Sequence, residues 1–242
     1  MPVLTDGELR LVVEQGLFTF QTRRRDILER VSARTLLTRK NPYLFLANGV
    51  VSVKTLTDRL LEAYLSSSEE TIFGNSVFEP IALAASGGTP AQATGIDIFV
   101  ELQDRNRAIA VKSGTSVFNA QSKRKQNENF IELRNRLQKT GKPFDAIVGY
   151  AYGRTRFRFE SGYIFRQLAG QDFWSDVSGD DQLHLRIYQM IASGHEEYAR
   201  TYQLIKDTTV DRLCAEITGA FGDSNGNVDW RALVISNSST AL

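Results

Sequence analysis

In the stretch GIDIFVELQDRNRAIAVKSG, from Gly95 to Gly114, two apolar runs of strand character flank the polar turn QDRNR. Asp97 sits among isoleucines in the first run, and Lys112 ends the second. Side chains alternate across a strand, so Lys112 shares a face with Ala110 while Asp97 points away from Ile96 and Ile98. If the runs pair through the turn, a carboxylate and an ammonium face each other at the open end of a hairpin. A buried ion pair there would stabilise little. The chemical alternative is a hard-cation site. Mg²⁺ takes carboxylate oxygens, keeps waters and holds a phosphate. A neighbouring ammonium orients or deprotonates water, or stabilises charge on the phosphate.

The charge distribution points to the same ligand class. The chain of 242 residues carries a net charge of only +1, yet Arg105–Lys139 holds nine Lys or Arg against two Glu. A basic block in a near-neutral protein is either a solvated helix face or the footprint of a polyanion. Other classes are weakly supported. Cys214 is the single cysteine, which excludes an intramolecular disulfide and fits a reducing cytosol. Flanked by Leu213 and Ala215, it reads as buried filler. His184 and His195 lack the partners of a structural zinc site. No apolar run reaches the roughly 18–20 residues of a membrane helix, and the N-terminus lacks the order of a secretory signal, so the expected location is cytoplasmic.

The elements that must position Asp97 and Lys112 follow from periodicity. Residues 7–37 show helical spacing, with an interruption expected near Gly16, and NPY at 41–43 breaks the helix. Ser52 caps a helix carrying Leu56, Leu60 and Tyr64. A further helix is entered near Gly74 with a bend at Pro80, and SGGTPAQATG reads as a loop. After the hairpin comes a helix with Phe130, Leu133 and Leu137 on one face and Gly141 as its stop. FDAIVGYAYG is a buried strand, the alternating RTRFRFE is a second, and the rest is helical. The fold class is α/β: a mixed β-sheet flanked by helices, with helical N- and C-terminal parts. We expect one domain over 1–242, divided into an N-terminal helical part (1–90), a core (about 60–165) and a C-terminal helical part (166–235).

An acid opening one strand, a turn, a second strand ending in x-x-Lys and then a helix resembles the PD-(D/E)XK nuclease superfamily. More specific are NPYLFLAN (41–48), LSSSEETIFGNSVFE (65–79), AVKSG (110–114), GYAYGR (149–154) and GQDFW with SGD (170–180). In that order they are similar to a family of bacterial type II restriction endonucleases. The resemblance implies Mg²⁺-dependent hydrolysis of both strands at a specific double-stranded DNA sequence by a homodimer or higher homo-oligomer. Asp97 is then the first metal acid and Lys112 the lysine of the E-x-K tripeptide. Two positions depart from the pattern: Ile96 replaces the proline before the acid, and Ala110 stands where the second acid belongs. A methyl group ligates nothing, so either another element supplies the carboxylate or the site is impaired. Glu79 is the leading replacement, as a catalytic acid and metal ligand, with Glu70 a second candidate ligand. Glu128 and Glu132, on the helix after Lys112, are further alternatives.

DNA contacts are expected from Lys123, Arg124 and Lys125 in the first turn of that helix, with Ser113 and Asn119 beside it. Arg154, Arg156 and Arg158, on one face of the expected RTRFRFE strand, are candidate readers of bases or a solvated edge. Phe173 and Trp174 read as packing residues rather than a base-stacking platform. Alternative readings are a structure-selective repair nuclease and a catalytically impaired DNA-binding module.

Overall fold

The computed structural model describes residues 4–114, 119–155 and 158–238, without the side chains of 67, 140 and 194–198. The helices before the sheet are α1 (Asp6–Arg30), α2 (Ala33–Arg39), α3 (Pro42–Ala47), α4 (Val53–Phe73) and α5 (Glu79–Ser86). The strands are β1 (Thr89–Ala93), β2 (Ile96–Glu101), β3 (Asn106–Lys112), β4 (Phe144–Tyr150) and β5 (Phe165–Ala169). Helix α6 (Ala120–Leu137) joins β3 to β4, and α7 (Gln171–Ser178), α8 (Leu183–Phe221) and α9 (Trp230–Ser238) follow. Contacts group these elements into two compact units, Met1–Phe20 with Thr71–His195, and Gln21–Glu70 with Glu196–Leu242.

The first unit holds the sheet, in the order β1-β2-β3-β4-β5. The β1–β2 and β2–β3 pairs are antiparallel, and β3–β4 and β4–β5 are parallel. The mixed sheet is the one the sequence called for. On one face, Phe130 and Leu133 of α6 pack on Ala108, Ala110, Ala146, Val148 and Phe165. The opposite face carries Ile109, Ile147 and Leu168, and α5 and α7 cover it with Ile81, Ala85, Phe173 and Val177, all buried. A Cβ on Gly149 would collide with the Phe173 ring, so only glycine lets α7 lie this close to β4. Trp174 is 2% exposed and its Nε1 donates to the Ala151 carbonyl at 2.8 Å, in keeping with a packing role.

Three sequence expectations are corrected. SGGTPAQATG contributes an edge strand, β1, whose register shifts between Pro90 and Ala93. Proline is tolerated at a sheet edge, and weak strand propensity hid the element. The described part of RTRFRFE is irregular, and the last strand lies later, at β5. Helix α1 runs through Gly16 without interruption. A Cβ at Gly16 would sit 2.6 Å from the Ser76 carbonyl oxygen, so this glycine serves close packing. Pro80 stands in the first turn of α5, directly after the π-helical turn Gly74–Phe78.

On the α7 face, the sequence hid a charged network. Arg107 Nε and Arg166 Nη2 reach Asp145 Oδ2 at 2.9 and 3.0 Å, and Arg166 Nη1 reaches Asp176 Oδ1 at 3.0 Å. Burial pushes the Asp145 carboxyl up, but the bonds and charges of Arg166 and Arg107 outweigh it and hold it below its ordinary range. A depressed carboxyl stabilises the fold above its ordinary pKa of about 3.9 and loses that contribution as pH falls below it. Asp145→Ala leaves two arginines short of a partner, and is expected to destabilise the protein by about 3 kcal/mol in urea unfolding at neutral pH. The deficit should shrink as acid protonates the wild-type carboxyl.

The second unit packs Leu28, Val31, Leu36 and Phe45 against Leu56, Leu60, Leu213 and Ile217. Arg212 Nη2 donates to the carbonyls of Leu28 and Val31, at 3.2 and 2.8 Å, satisfying the open end of α1. Cys214 is only partly buried at the edge of this core rather than fully enclosed. No helix of the described residues is long and apolar enough to cross a membrane.

Candidate active site

The β2–β3 ladder is registered from Glu101–Asn106 back to Ile98–Ile109. One step further, Asp97 would lie across from Ala110, but no backbone pair continues there. Instead Asp97 Oδ2 accepts the Val111 N–H at 2.7 Å. The carboxylate therefore lies in the opening between the parting strands, where groups from either face can approach it. Lys112 Nζ stands 3.8 Å from the same oxygen, an electrostatic contact too long for a hydrogen bond. Both side chains are about one-quarter exposed, at 23% and 25%, so neither charge is fully desolvated. The hairpin juxtaposition anticipated from alternation is present.

Glu79, at the start of α5, feels the charges of both Asp97 and Lys112. Its placement begins one turn earlier, where the chain leaves α4 in a π-helical turn, Gly74–Phe78. A π turn rotates the following residues relative to a continuous α-helix and is frequent at functional positions. It fits here because a Cβ on Gly74 would collide with Ser113 Oγ, just after Lys112. The turn thus lies against the end of β3, and Glu79 opens α5 beside it. Burial holds the Glu79 carboxyl above its ordinary range. The Asp97 charge adds to that rise, and the Lys112 ammonium opposes it. Two carboxylates and one ammonium therefore share a field at the open end of the hairpin. Ala110 itself is wholly buried among Phe130, Leu133 and Val148, so an acid there would be enclosed in apolar side chains.

Among the described residues, no group of three or more His, Cys, Asp or Glu side chains gathers as a metal site. A pair of carboxylates nevertheless suits Mg²⁺, which binds through one or two of them and completes its shell with water and phosphate oxygen. After burial, the Asp97 charge is what raises the Glu79 carboxyl, and a cation there would relieve it. Of the other candidate acids, Glu70 lies on α4 in the second unit. Glu128 and Glu132 are exposed on α6, and Glu128 Oε2 is 3.3 Å from Lys125 Nζ.

The basic candidates fall into distinct settings. Asn119 caps α6, its Oδ1 accepting the Ser122 N–H at 2.8 Å. Lys123 Nζ pairs with Glu160 Oε2 at 2.7 Å, while Arg124 and Lys125 are exposed. Ser113 is half-buried against Gly74. Arg154 and Arg158 are exposed on irregular chain rather than aligned on a strand face, and Arg156 lies outside the described residues.

A hydrogen-bonded chain that the sequence did not reveal runs beside the site. Tyr150, in register with Lys112, donates its O–H to Gln167 Oε1 at 3.1 Å. Gln167 Nε2 donates to Glu160 Oε2 at 3.0 Å, the oxygen that also holds Lys123. Burial, and then the Glu160 charge, push the Tyr150 hydroxyl up to about 12, so it remains a proton donor at neutral pH. The only sequence signal was Tyr150 within the apolar run FDAIVGYAYG.

No curated protein sequence matches the chain. The family model for type II restriction endonuclease EcoO109I matches residues 7–198, a span that includes Asp97, Lys112 and Glu79. The chain therefore belongs to that family, within the PD-(D/E)XK nuclease superfamily.

Proposed function

We propose that the protein hydrolyses phosphodiester bonds in both strands of a specific double-stranded DNA sequence, using Mg²⁺ and working as a homodimer or higher homo-oligomer. The observation that carries this reading is the Asp97–Lys112 pair at the open end of the β2–β3 hairpin, with the Glu79 carboxyl under the influence of both charges. Asp97 and Glu79 are the residues that would hold Mg²⁺. When bound, the cation supplies Lewis-acid stabilisation of the phosphate charge and a template for water. Lys112, 3.8 Å from the Asp97 carboxylate, stands where its ammonium can orient the attacking water or balance charge on the phosphate. The water oxygen bonds to phosphorus, the bond to the leaving sugar oxygen breaks, and that oxygen takes up a proton. A palindromic site presents two scissile phosphates related by a two-fold axis, which a symmetric assembly matches.

A plasmid digest with and without Mg²⁺, followed by sequencing of the cut ends, tests this. One recurring sequence at the ends supports the reading, while ends at scattered positions indicate a nuclease without a fixed site. The buried Ala110 favours one rival, a DNA-binding module that has lost catalysis. DNA bound but uncut in Mg²⁺ and Mn²⁺ would establish the rival. The contacts themselves have a separate signature. Arg124→Ala is expected to weaken binding about equally for cognate and unrelated DNA and to lower the salt slope by about 1, as for the loss of one phosphate contact. An unchanged slope in a salt titration would remove Arg124 from the interface.

A further inference from the structure

Gln126 extends the inward stripe of α6, standing 4, 7 and 11 positions before Phe130, Leu133 and Leu137. It is 5% exposed, and a buried amide needs partners. Its Nε2 donates to the Gly95 carbonyl at 2.7 Å. Gly95 has φ of +68°, and a Cβ there would also collide with the Asn129 amide, so α6 grips this turn closely. From Gly95 the chain enters β2 two residues before Asp97. The β2–β3 backbone ladder ends at Ile98, which leaves Ile96 and Asp97 outside it. Towards β1, Ile96 pairs with Ala93 beyond a register shift. Two side-chain bonds therefore locate the carboxylate: its own bond to the Val111 N–H, and Gln126 on Gly95.

We propose that Gln126 is a positioning residue for the Asp97 carboxylate, tying the geometry of the metal site to the seating of α6. This rests on the reading of Asp97 as a metal ligand. The same helix carries Lys123 and Arg124 at its N-terminal end, three and two residues before Gln126. A helix drawn towards a DNA phosphate at that turn acts on Gly95, and so on Asp97, through one hydrogen bond.

The test compares wild type with Gln126→Met, Gln126→Glu, Leu133→Ala and Asp97→Asn. Mn²⁺ binding to the full chain is measured by paramagnetic resonance, and Mg²⁺ is titrated in plasmid cleavage. Losing a group that orients a metal ligand typically lowers affinity 10–100-fold. Gln126→Met is expected to bind Mn²⁺ about tenfold more weakly and to need about tenfold more Mg²⁺ for half-maximal cleavage. Metal-free DNA binding should stay at the wild-type level. Gln126→Glu keeps the shape but turns a donor into an acceptor, and should shift at least as far. Leu133→Ala loosens the same helix without touching Gly95, and should lower the unfolding temperature while leaving the metal dependence unchanged. Wild-type metal dependence in both Gln126 variants, or an equal shift in Leu133→Ala, overturns the inference and leaves the proposed nuclease standing. A wild type that neither binds Mn²⁺ nor cuts, with Asp97→Asn indistinguishable from it, overturns both.

Discussion

Asp97→Asn and Lys112→Met are each expected to lower Mg²⁺-dependent plasmid cleavage by about 10³-fold, with folding and DNA binding largely kept. The local geometry makes these substitutions clean. Asp97 Oδ2 accepts the Val111 N–H. An asparagine carbonyl oxygen can accept that bond in its place, so the substitution removes charge while preserving the closure of β2 on β3. Any cation site then loses half of its carboxylate pair. Methionine retains the apolar stem of Lys112 and deletes only the ammonium, which sits at the mouth of the hairpin beside Asp97. Losing one preorganised electrostatic group from a site of charge development typically costs 10²–10³ in rate. Losing a metal ligand removes in addition the stabilisation that the cation supplies. Initial rates of supercoiled plasmid cleavage, with DNA binding followed in the absence of metal, separate catalysis from affinity. Either variant cutting at the wild-type rate would remove that residue from the chemistry.

Glu79→Gln is expected to abolish cleavage to a similar degree and, unlike the other two, to make the metal-free protein more stable at neutral pH. The sign follows from the raised carboxyl. Burial, and then the Asp97 charge, disfavour the ionised form. An acid with a raised folded-state pKa binds more protons folded than unfolded between the ordinary value of about 4.3 and its raised one. Stability is therefore lost as pH rises through that window. Glutamine has no charge to desolvate or repel. The unfolding temperature of the variant should match wild type below about pH 4, where the wild-type carboxyl is protonated, and exceed it at pH 7. Mg²⁺ should raise the wild-type temperature, since it answers the repulsion, and have little effect on Glu79→Gln. It should also release protons from wild type, so apparent Mg²⁺ affinity falls as pH falls. Thermal melts across pH, with and without Mg²⁺, check every part of this. Normal DNA cleavage by the Glu79→Gln variant would exclude Glu79 as the replacement for the acid absent at Ala110.

Local order made much of the molecule legible in advance. The run IDIFVEL–turn–AIAVK specifies a hairpin because alternation and a polar turn act within a few residues. The helix over Phe130, Leu133 and Leu137 was readable for the same reason, as was the buried strand FDAIVGY. The misses share a cause in the opposite direction. TPAQA has poor strand propensity and forms β1 only because β2 offers it an edge. FRQLA lacks alternation because Arg166 is satisfied by Asp145 and Asp176, which come from β4 and α7. RTRFRFE alternates well, yet its described residues join no strand. Gln126 directly follows the basic run Lys123–Lys125, while its spacing from Phe130 places it on the inward face.

By itself, the sequence determined the α/β class, the hairpin, the shared face of Asp97 and Lys112, and the gap left by Ala110, because each is fixed by neighbours along the chain. Tertiary structure alone decided which further acid enters the field of Asp97 and Lys112. Glu79 precedes Asp97 by eighteen positions. Its carboxyl comes under the influence of the Asp97 charge, with the preceding π turn lying against Ser113, where Gly74 leaves room for the approach. No periodicity within either segment encodes that influence. It arises when α5, packed on the sheet, is brought to the end of the strand that carries Asp97.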